Sequence, residues 1–220
     1  MANYEQTIWN YFKSKLGNEY GTAALMGNLY AESGLQPNNL QNSYESSLGY
    51  TDTSYTAAVD NGSYSEYNFV HDSAGYGLAQ WTYYSRKQGL YDMYKSGGYS
   101  SIGSINLALD YLYYELQNSY PSVLAALKSA TSVRAASDVV LHDFENPKVQ
   151  DESVEILRAS YGTGYYNTYT GTGGGSGGGS EGSGGDDTGG GSQGSGTIAT
   201  KKRKGYNFVL FNANKRKRFY

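Results

Sequence analysis

Cysteine is absent from this 220-residue chain. Its absence excludes a disulfide framework, a thiolate metal site and a cysteine-nucleophile peptidase. Histidine is nearly absent: His71 and His142 are the only two, and they lack the paired spacing of a zinc site. This argues against a zinc amidase or zinc endopeptidase, and no Ser/His/Asp arrangement stands out. No stretch is apolar enough to span a bilayer. The opening Met1-Ala2-Asn3-Tyr4-Glu5 has neither the basic nor the apolar region of a secretion signal. If the protein works outside a cell, something other than such a signal is expected to take it there.

What is present divides unevenly. Residues 1–170 hold nine Lys/Arg against seventeen Asp/Glu, a net of −8, whereas residues 198–220 hold eight Lys/Arg and no acid. Between them, residues 171–197 are Gly/Ser-rich, with almost nothing apolar. The expected organisation is therefore a globular domain over 1–170, long enough for one core, a flexible linker over 171–197 and a basic tail over 198–220. The tail has a strand-like centre, Gly205–Asn214, between basic runs.

Within the domain, Ile8, Trp9, Phe12 and Leu16 recur at helical spacing and predict an amphipathic helix over 3–16. Residues 20–33 are apolar on most sides, which predicts a core helix, stopped by Gly34. Residues 41–74 are rich in Ser, Thr, Tyr, Asn and Gly. They show no helical period and read as loop with short β-hairpin pieces, long enough to suggest a binding role. Helical stripes return over 84–96, 104–118, 121–130, 132–144 and 149–162, with Ser104 and Ser132 as N-caps and a break at Asn146-Pro147. The expected fold class is α+β, mainly α, with a small β or loop lobe.

Glu32-Ser33-Gly34 closes the core helix. Glycosidic bond cleavage needs an acid that protonates the leaving oxygen, so burial must raise that carboxyl's pKa. Glu32, with Leu25, Leu29 and Leu35 near it in sequence, meets the need. A solvated helix-end glutamate fits the same position, although negative charge at a helix C-terminus is unfavourable. Downstream lies Gly75-Tyr76-Gly77-Leu78-Ala79-Gln80-Trp81-Thr82. Its glycines allow close backbone approach, Gln80 supplies an amide and Trp81 a stacking face for a sugar; a glycine-rich buried strand with a core tryptophan fits as well.

Three motifs carry a resemblance: Ala23–Gly34 (AALMGNLYAESG), Phe69–Lys87 (FVHDSAGYGLAQWTYYSRK) and Phe144-Glu145-Asn146-Pro147 with the helix after it. Over residues 1–168 the chain resembles the phage tail lysozyme family of the lysozyme-like superfamily, and the pairing of Glu-Ser with Gly-Leu-x-Gln is similar to that of lytic transglycosylases. The resemblance implies a lysozyme-like domain that cleaves peptidoglycan between N-acetylmuramic acid and N-acetylglucosamine, with Glu32 as general acid. Ser33, Tyr76, Gly77, Gln80, Trp81 and Tyr83 are the expected substrate-binding residues.

The second carboxylate stays open among Glu45, Asp52, Asp60, Glu66 and Asp72. Asp72 is preferred because it precedes the glycine segment, although a turn-starting aspartate fits the same place. Separation from the acid would decide retention or inversion. With no second carboxylate in place, the sugar's 6-hydroxyl closes on the anomeric carbon and leaves a 1,6-anhydro end. Glu145 reads as a helix-end structural acid or cleft-rim residue. Of the tyrosines from Tyr44 to Tyr84, two or three are expected in the cleft and the rest in ordinary packing.

No cofactor or metal is expected, since carboxyls and water suffice. The expected partners are bacterial peptidoglycan and, through residues 198–220, other phage tail proteins or the wall itself; nucleic acid ranks last. Carriage on a virion tail, or release on lysis, is the expected route to the host wall. A glycan-binding or structural tail module without turnover is the competing class.

Overall fold

The computed structural model describes residues 4–171; the expected linker and basic tail lie outside the described residues, apart from Gly171. Among the described residues ten α-helices occur in this order: α1 Glu5–Leu16, α2 Glu19–Ser33, α3 Asn42–Leu48, α4 Asp52–Asp60, α5 Glu66–His71, α6 Tyr84–Ser96, α7 Ile105–Asn118, α8 Pro121–Lys128, α9 Val133–Val139 and α10 Glu152–Thr170. A π-helical turn, Val140–Glu145, continues α9.

Helix α2 is the axis of the domain. Asn18 caps its first turn by accepting from the Gly21 N–H, and Gly34 ends it in the left-handed conformation, as glycine permits. Every residue from Gly21 to Leu29 is buried. Burying each of Leu25, Met26 and Leu29 is worth about 1.5–3 kcal/mol, and these three are fully buried. Helices α10, α9, α1 and α8 pack around α2. The crossing with α10 is close because both helices are bare there. A Cβ built on Gly27 would lie 2.5 Å from Gly162 N and 2.6 Å from Arg158 O.

Helix α10 runs past the expected end at 162, through Gly162 and Gly164, to Thr170. Aromatic pairs hold that extension. Tyr169 stacks on Trp9 at 4.6 Å, Tyr166 on Tyr20 at 4.6 Å, and Tyr165 meets Tyr30 edge-on at 6.2 Å. Such pairs add about 0.5–1.5 kcal/mol each beyond area burial, which offsets the low helix propensity of the two glycines.

The reading of residues 41–74 is corrected. The segment folds into α3, α4 and α5, and among the described residues no strand forms. The β content is two isolated antiparallel bridges, Leu40 with Tyr76 and Tyr76 with Trp81. At six to nine residues these helices are too short to display a 3.6-residue period. Their polar residues serve as caps. Thr51 and Ser54 form a reciprocal capping box, and Ser65 accepts from Asn68 N–H, which is the role that makes such residues look loop-like. Under them lies an aromatic cluster of Tyr55, Phe69 and Tyr76, all fully buried. Of the two expected serine caps, Ser132 accepts from Ala135 N–H, while Ser104 sits at the cap position without such a bond.

Candidate active site

The last turn of α2 carries Glu32 and Ser33. Ser33 Oγ donates to Leu29 O and to Leu78 O at 2.8 Å, so it ties the end of α2 to the glycine segment. That segment is a tight hairpin. Tyr76 and Trp81 exchange both backbone bonds, at 3.1 and 2.9 Å, across a turn in which Gly77 has φ 77° and Gln80 φ 46°. A Cβ on Gly77 would meet the Trp81 ring at 3.0 Å. Gln80 Nε2 donates to Asn39 O, Asn39 Oδ1 and Gly77 O, so its amide holds the loop around it.

Trp81 and Tyr76 are fully buried. The Trp81 ring lies edge-on to Tyr111, and its indole N–H donates to Glu115 at 2.7 Å. The stacking face expected of Trp81 is therefore taken up by the core. The Tyr76 hydroxyl is bonded to Thr56 at 2.7 Å. Of the expected substrate-binding side chains, Tyr83 alone has a large open surface, at 55 %.

Glu32 has 9 % of its side chain exposed and receives Arg158 Nη2 at 2.5 Å. Arg158 is itself buried, on α10, and its other terminal nitrogen reaches Asn28 O and Oδ1. Asn28 in turn donates to Ala24 O and to Ser137 on α9. The α2–α10 crossing thus sets the position of the Glu32 carboxylate, 126 residues away in sequence from its cation.

A second ionic layer sits beside it. Arg86 makes a forked pair with Glu115, at 2.7 and 2.8 Å, and its guanidinium lies 4.8 Å from the Phe144 ring centroid. Burial works against the Arg86 charge, but Glu115 outweighs it and pushes the pKa up. Glu145 follows Phe144 at the end of the π-helical turn. Its Oε1 is buried with no hydrogen-bond partner among the described residues. Burial, then the charge of Glu32, push its pKa well above the usual carboxylate range, against the opposing pull of Arg86 and Arg158. A raised carboxyl pKa is what acid catalysis near neutral pH requires.

Asp72 lies in a different network. Its carboxylate receives Lys87 Nζ at 2.6 Å, the Tyr55 hydroxyl, the Tyr64 hydroxyl at 3.1 Å and the Ala74 N–H at 2.9 Å. The Lys87 side chain is fully buried and that of Asp72 is 4 % exposed. Burial lowers the Lys87 pKa, and Asp72 opposes that shift. Among the described residues no hydrogen bond or ion pair links Asp72 with Glu32.

Backbone strain marks the same places. The four described non-glycine residues with left-handed φ are Leu35, Ser73, Gln80 and Asn146. They follow Glu32-Ser33-Gly34, Asp72, Ala79 and Glu145 respectively. Strain of this kind, on the order of 1–3 kcal/mol per residue, persists where the surroundings over-determine the backbone, and it clusters at functional sites.

Arg158, Arg86 and Glu115 were not singled out from the sequence. A lone arginine in an apolar helix was the one available signal for Arg158. Among the described residues no group of three or more His, Cys, Asp or Glu is placed to hold a metal ion, and no helix is long and apolar enough to cross a membrane.

No curated protein and no solved structure matches the chain. A family model does, described as phage tail lysozyme, and it spans residues 3–169. Over that span lie the glutamate at the end of the core helix, the serine-anchored hairpin against it and the Phe-Glu-Asn-Pro corner, and the chain belongs to the phage tail lysozyme family.

Proposed function

We propose that this protein is a muramidase that cleaves the bond between N-acetylmuramic acid and N-acetylglucosamine, with Glu32 as general acid. Family membership implies a phage peptidoglycan-cleaving, lysozyme-like function. The observation that supports Glu32 is its place: a carboxylate at the end of the core helix, with 9 % of its side chain exposed and held by Arg158 at 2.5 Å. A proton delivered from Glu32 to the glycosidic oxygen lets the C–O bond break, with that oxygen keeping the bond's electron pair. Tyr83 offers an open ring for a sugar face. Action on the host wall from a virion tail, or after lysis, belongs to this reading, as do the linker over 171–197 and docking of the basic tail on tail proteins.

A second reading has a specific observation in its favour. The four donors on Asp72 leave it no free role in the cleft, and we read it as structural. Without a loop carboxylate to activate water, attack by the sugar's own 6-hydroxyl gives a 1,6-anhydro end, the product of a lytic transglycosylase.

The test is a Glu32→Gln protein assayed on purified bacterial walls. It should sediment with walls as wild type does but clear them at least about a hundredfold more slowly. Equal clearing would remove Glu32 from the role. Wild type that binds walls and releases no fragments would leave a binding module.

A further inference from the structure

One histidine closes the corner between the π-helical turn and α10. His142 sits on that turn with both ring nitrogens in contact. Its Nδ1 lies 2.9 Å from Gln150 Oε1 and its Nε2 2.9 Å from Glu155 Oε1. The other contacts of Gln150 fix which end of its amide faces the ring. Its nitrogen donates to Asn146 Oδ1 at 2.7 Å and to Pro147 O at 2.8 Å, and a backbone carbonyl only accepts. Gln150 therefore offers His142 an acceptor. Glu155 does the same, since a carboxylate has no proton to give, and its other oxygen receives Arg134 Nη2 at 2.5 Å. An imidazole between two acceptors satisfies both only when both nitrogens carry hydrogen, which is the cation. The neutral ring satisfies one and sets a lone pair against the other.

The surrounding charges act in the same direction. Glu155 on α10 and Asp138 on α9 face His142, and Arg134 pairs with both. The hydrogen bonds to Gln150 and then to Glu155 hold the His142 pKa above histidine's ordinary value, against the opposing cost of burial. The corner so closed carries part of the site. Asn146 has its left-handed φ of 45° there, with its N–H returned to Leu141 O at 2.8 Å. Two residues on from His142, the Phe144 ring lies 4.8 Å from the Arg86 guanidinium. Arg86 is forked onto Glu115, the acceptor of the Trp81 N–H.

We propose that His142 is a positioning residue that works as a pH-dependent latch: as a cation it clamps the 146–150 corner to α10 and keeps Phe144 seated on Arg86, and on losing its proton to solvent it lets the corner open. The side chain is 38 % exposed, so the proton leaves and returns without unfolding. The sign follows from the raised folded pKa. The latch is fully closed below about pH 6.5, histidine's ordinary value, and its contribution is lost as pH rises through the folded value.

The test follows the full chain by imidazole NMR across pH and by amide hydrogen exchange at residues 140–151. His142→Ala identifies the His142 signal. In wild type that signal should titrate at higher pH than in the urea-unfolded chain, and in Gln150→Ala at lower pH than in wild type. Exchange at 140–151, corrected for the intrinsic rate at each pH, should quicken roughly tenfold or more across the His142 midpoint, while α2 shows no such step. The ratio of wild-type to His142→Ala wall clearing should exceed one below the midpoint and fall toward one above it. The latch is overturned if His142 titrates no higher than in the unfolded chain, if exchange at 140–151 has no step at its midpoint, or if the clearing ratio is flat across pH. Should His142→Ala fail to fold, the Gln150→Ala titration and the wild-type exchange decide. Titration and exchange involve no glycan, so a wrong assignment of Glu32 shows separately, as undiminished clearing by Glu32→Gln.

Discussion

Replacing Asp72 by alanine separates a structural carboxylate from a catalytic one. Among the described residues Asp72 is the only anion bonded to Lys87, whose side chain is fully buried. Without it the ammonium keeps Ala74 O at 3.0 Å and the Tyr55 hydroxyl at 3.4 Å, two neutral partners for a full charge. Tyr55 and Tyr64 also lose their common acceptor. Breaking a buried pair from one side costs about 3–5 kcal/mol, a large share of the roughly 5–15 kcal/mol that holds a domain together. At 2–4 °C per kcal/mol for a domain of this size, melting should drop by roughly 6–20 °C. The loss should shrink as pH rises. Burial depresses the Lys87 pKa, and removing Asp72 depresses it further. The unfolded chain then binds a proton that the folded one has released, so variant stability climbs with pH from the depressed value up to lysine's usual range. Urea melts at several pH values, with wall clearing scaled to the folded fraction, measure both effects. Clearing per folded molecule should stay within about threefold of wild type, since remote packing changes seldom touch an intact acid site. A variant of wild-type stability whose clearing falls by a hundredfold or more would refute the structural assignment and return Asp72 to the catalytic role.

Three further outcomes follow from the same geometry. Gly27→Ala puts a methyl 2.5 Å from Gly162 N and 2.6 Å from Arg158 O. It should cost about 1–3 kcal/mol in a urea melt and lower clearing per folded molecule, because the α2–α10 gap sets the Arg158–Glu32 contact. Trp81→Phe removes the N–H donated to Glu115 and should cost about 1–3 kcal/mol, yet leave the KM for soluble wall oligosaccharides unchanged because the ring is buried. Tyr83→Ala should do the reverse: stability within about 0.5 kcal/mol of wild type, with KM raised several-fold.

The helices legible in the sequence were those long enough to repeat their apolar stripe. The almost unbroken apolar surface of 20–33 marked α2 as the core helix, and Gly34 marked its end correctly. The short helices α3 to α5 escaped because their order comes from capping and from Tyr55, Phe69 and Tyr76 packing beneath them, neither of which has a period. The end of α10 escaped because Gly162 and Gly164 look like breakers until Gly27 is seen opposite. In the site, the type and place of Glu32 could be read locally. Its partner Arg158 could not, since the contact spans 126 residues. The Gly-Leu-Ala-Gln-Trp segment was recognisable as a feature beside the glutamate, but its polar and aromatic groups are spent on the hairpin and core: Gln80 on Asn39 and Trp81 on Glu115. Exposure depends on what packs against a ring, and the sequence alone does not show that for Trp81 or Tyr83. Glu145 looked like a helix-end acid for the same reason. Its buried, unpartnered oxygen exists only once the π-helical turn has packed into the domain.

The central claim is that Glu32 drives cleavage of the glycan strand. Mass spectrometry of the soluble fragments released from purified peptidoglycan by wild type and by Glu32→Gln tests it most directly. Wild type should release muramic-acid-ended fragments, reducing for a hydrolase or 1,6-anhydro for a transglycosylase, and Glu32→Gln should release almost none. Fragments cut within the peptide stems, or glycan fragments released equally by both proteins, would contradict it.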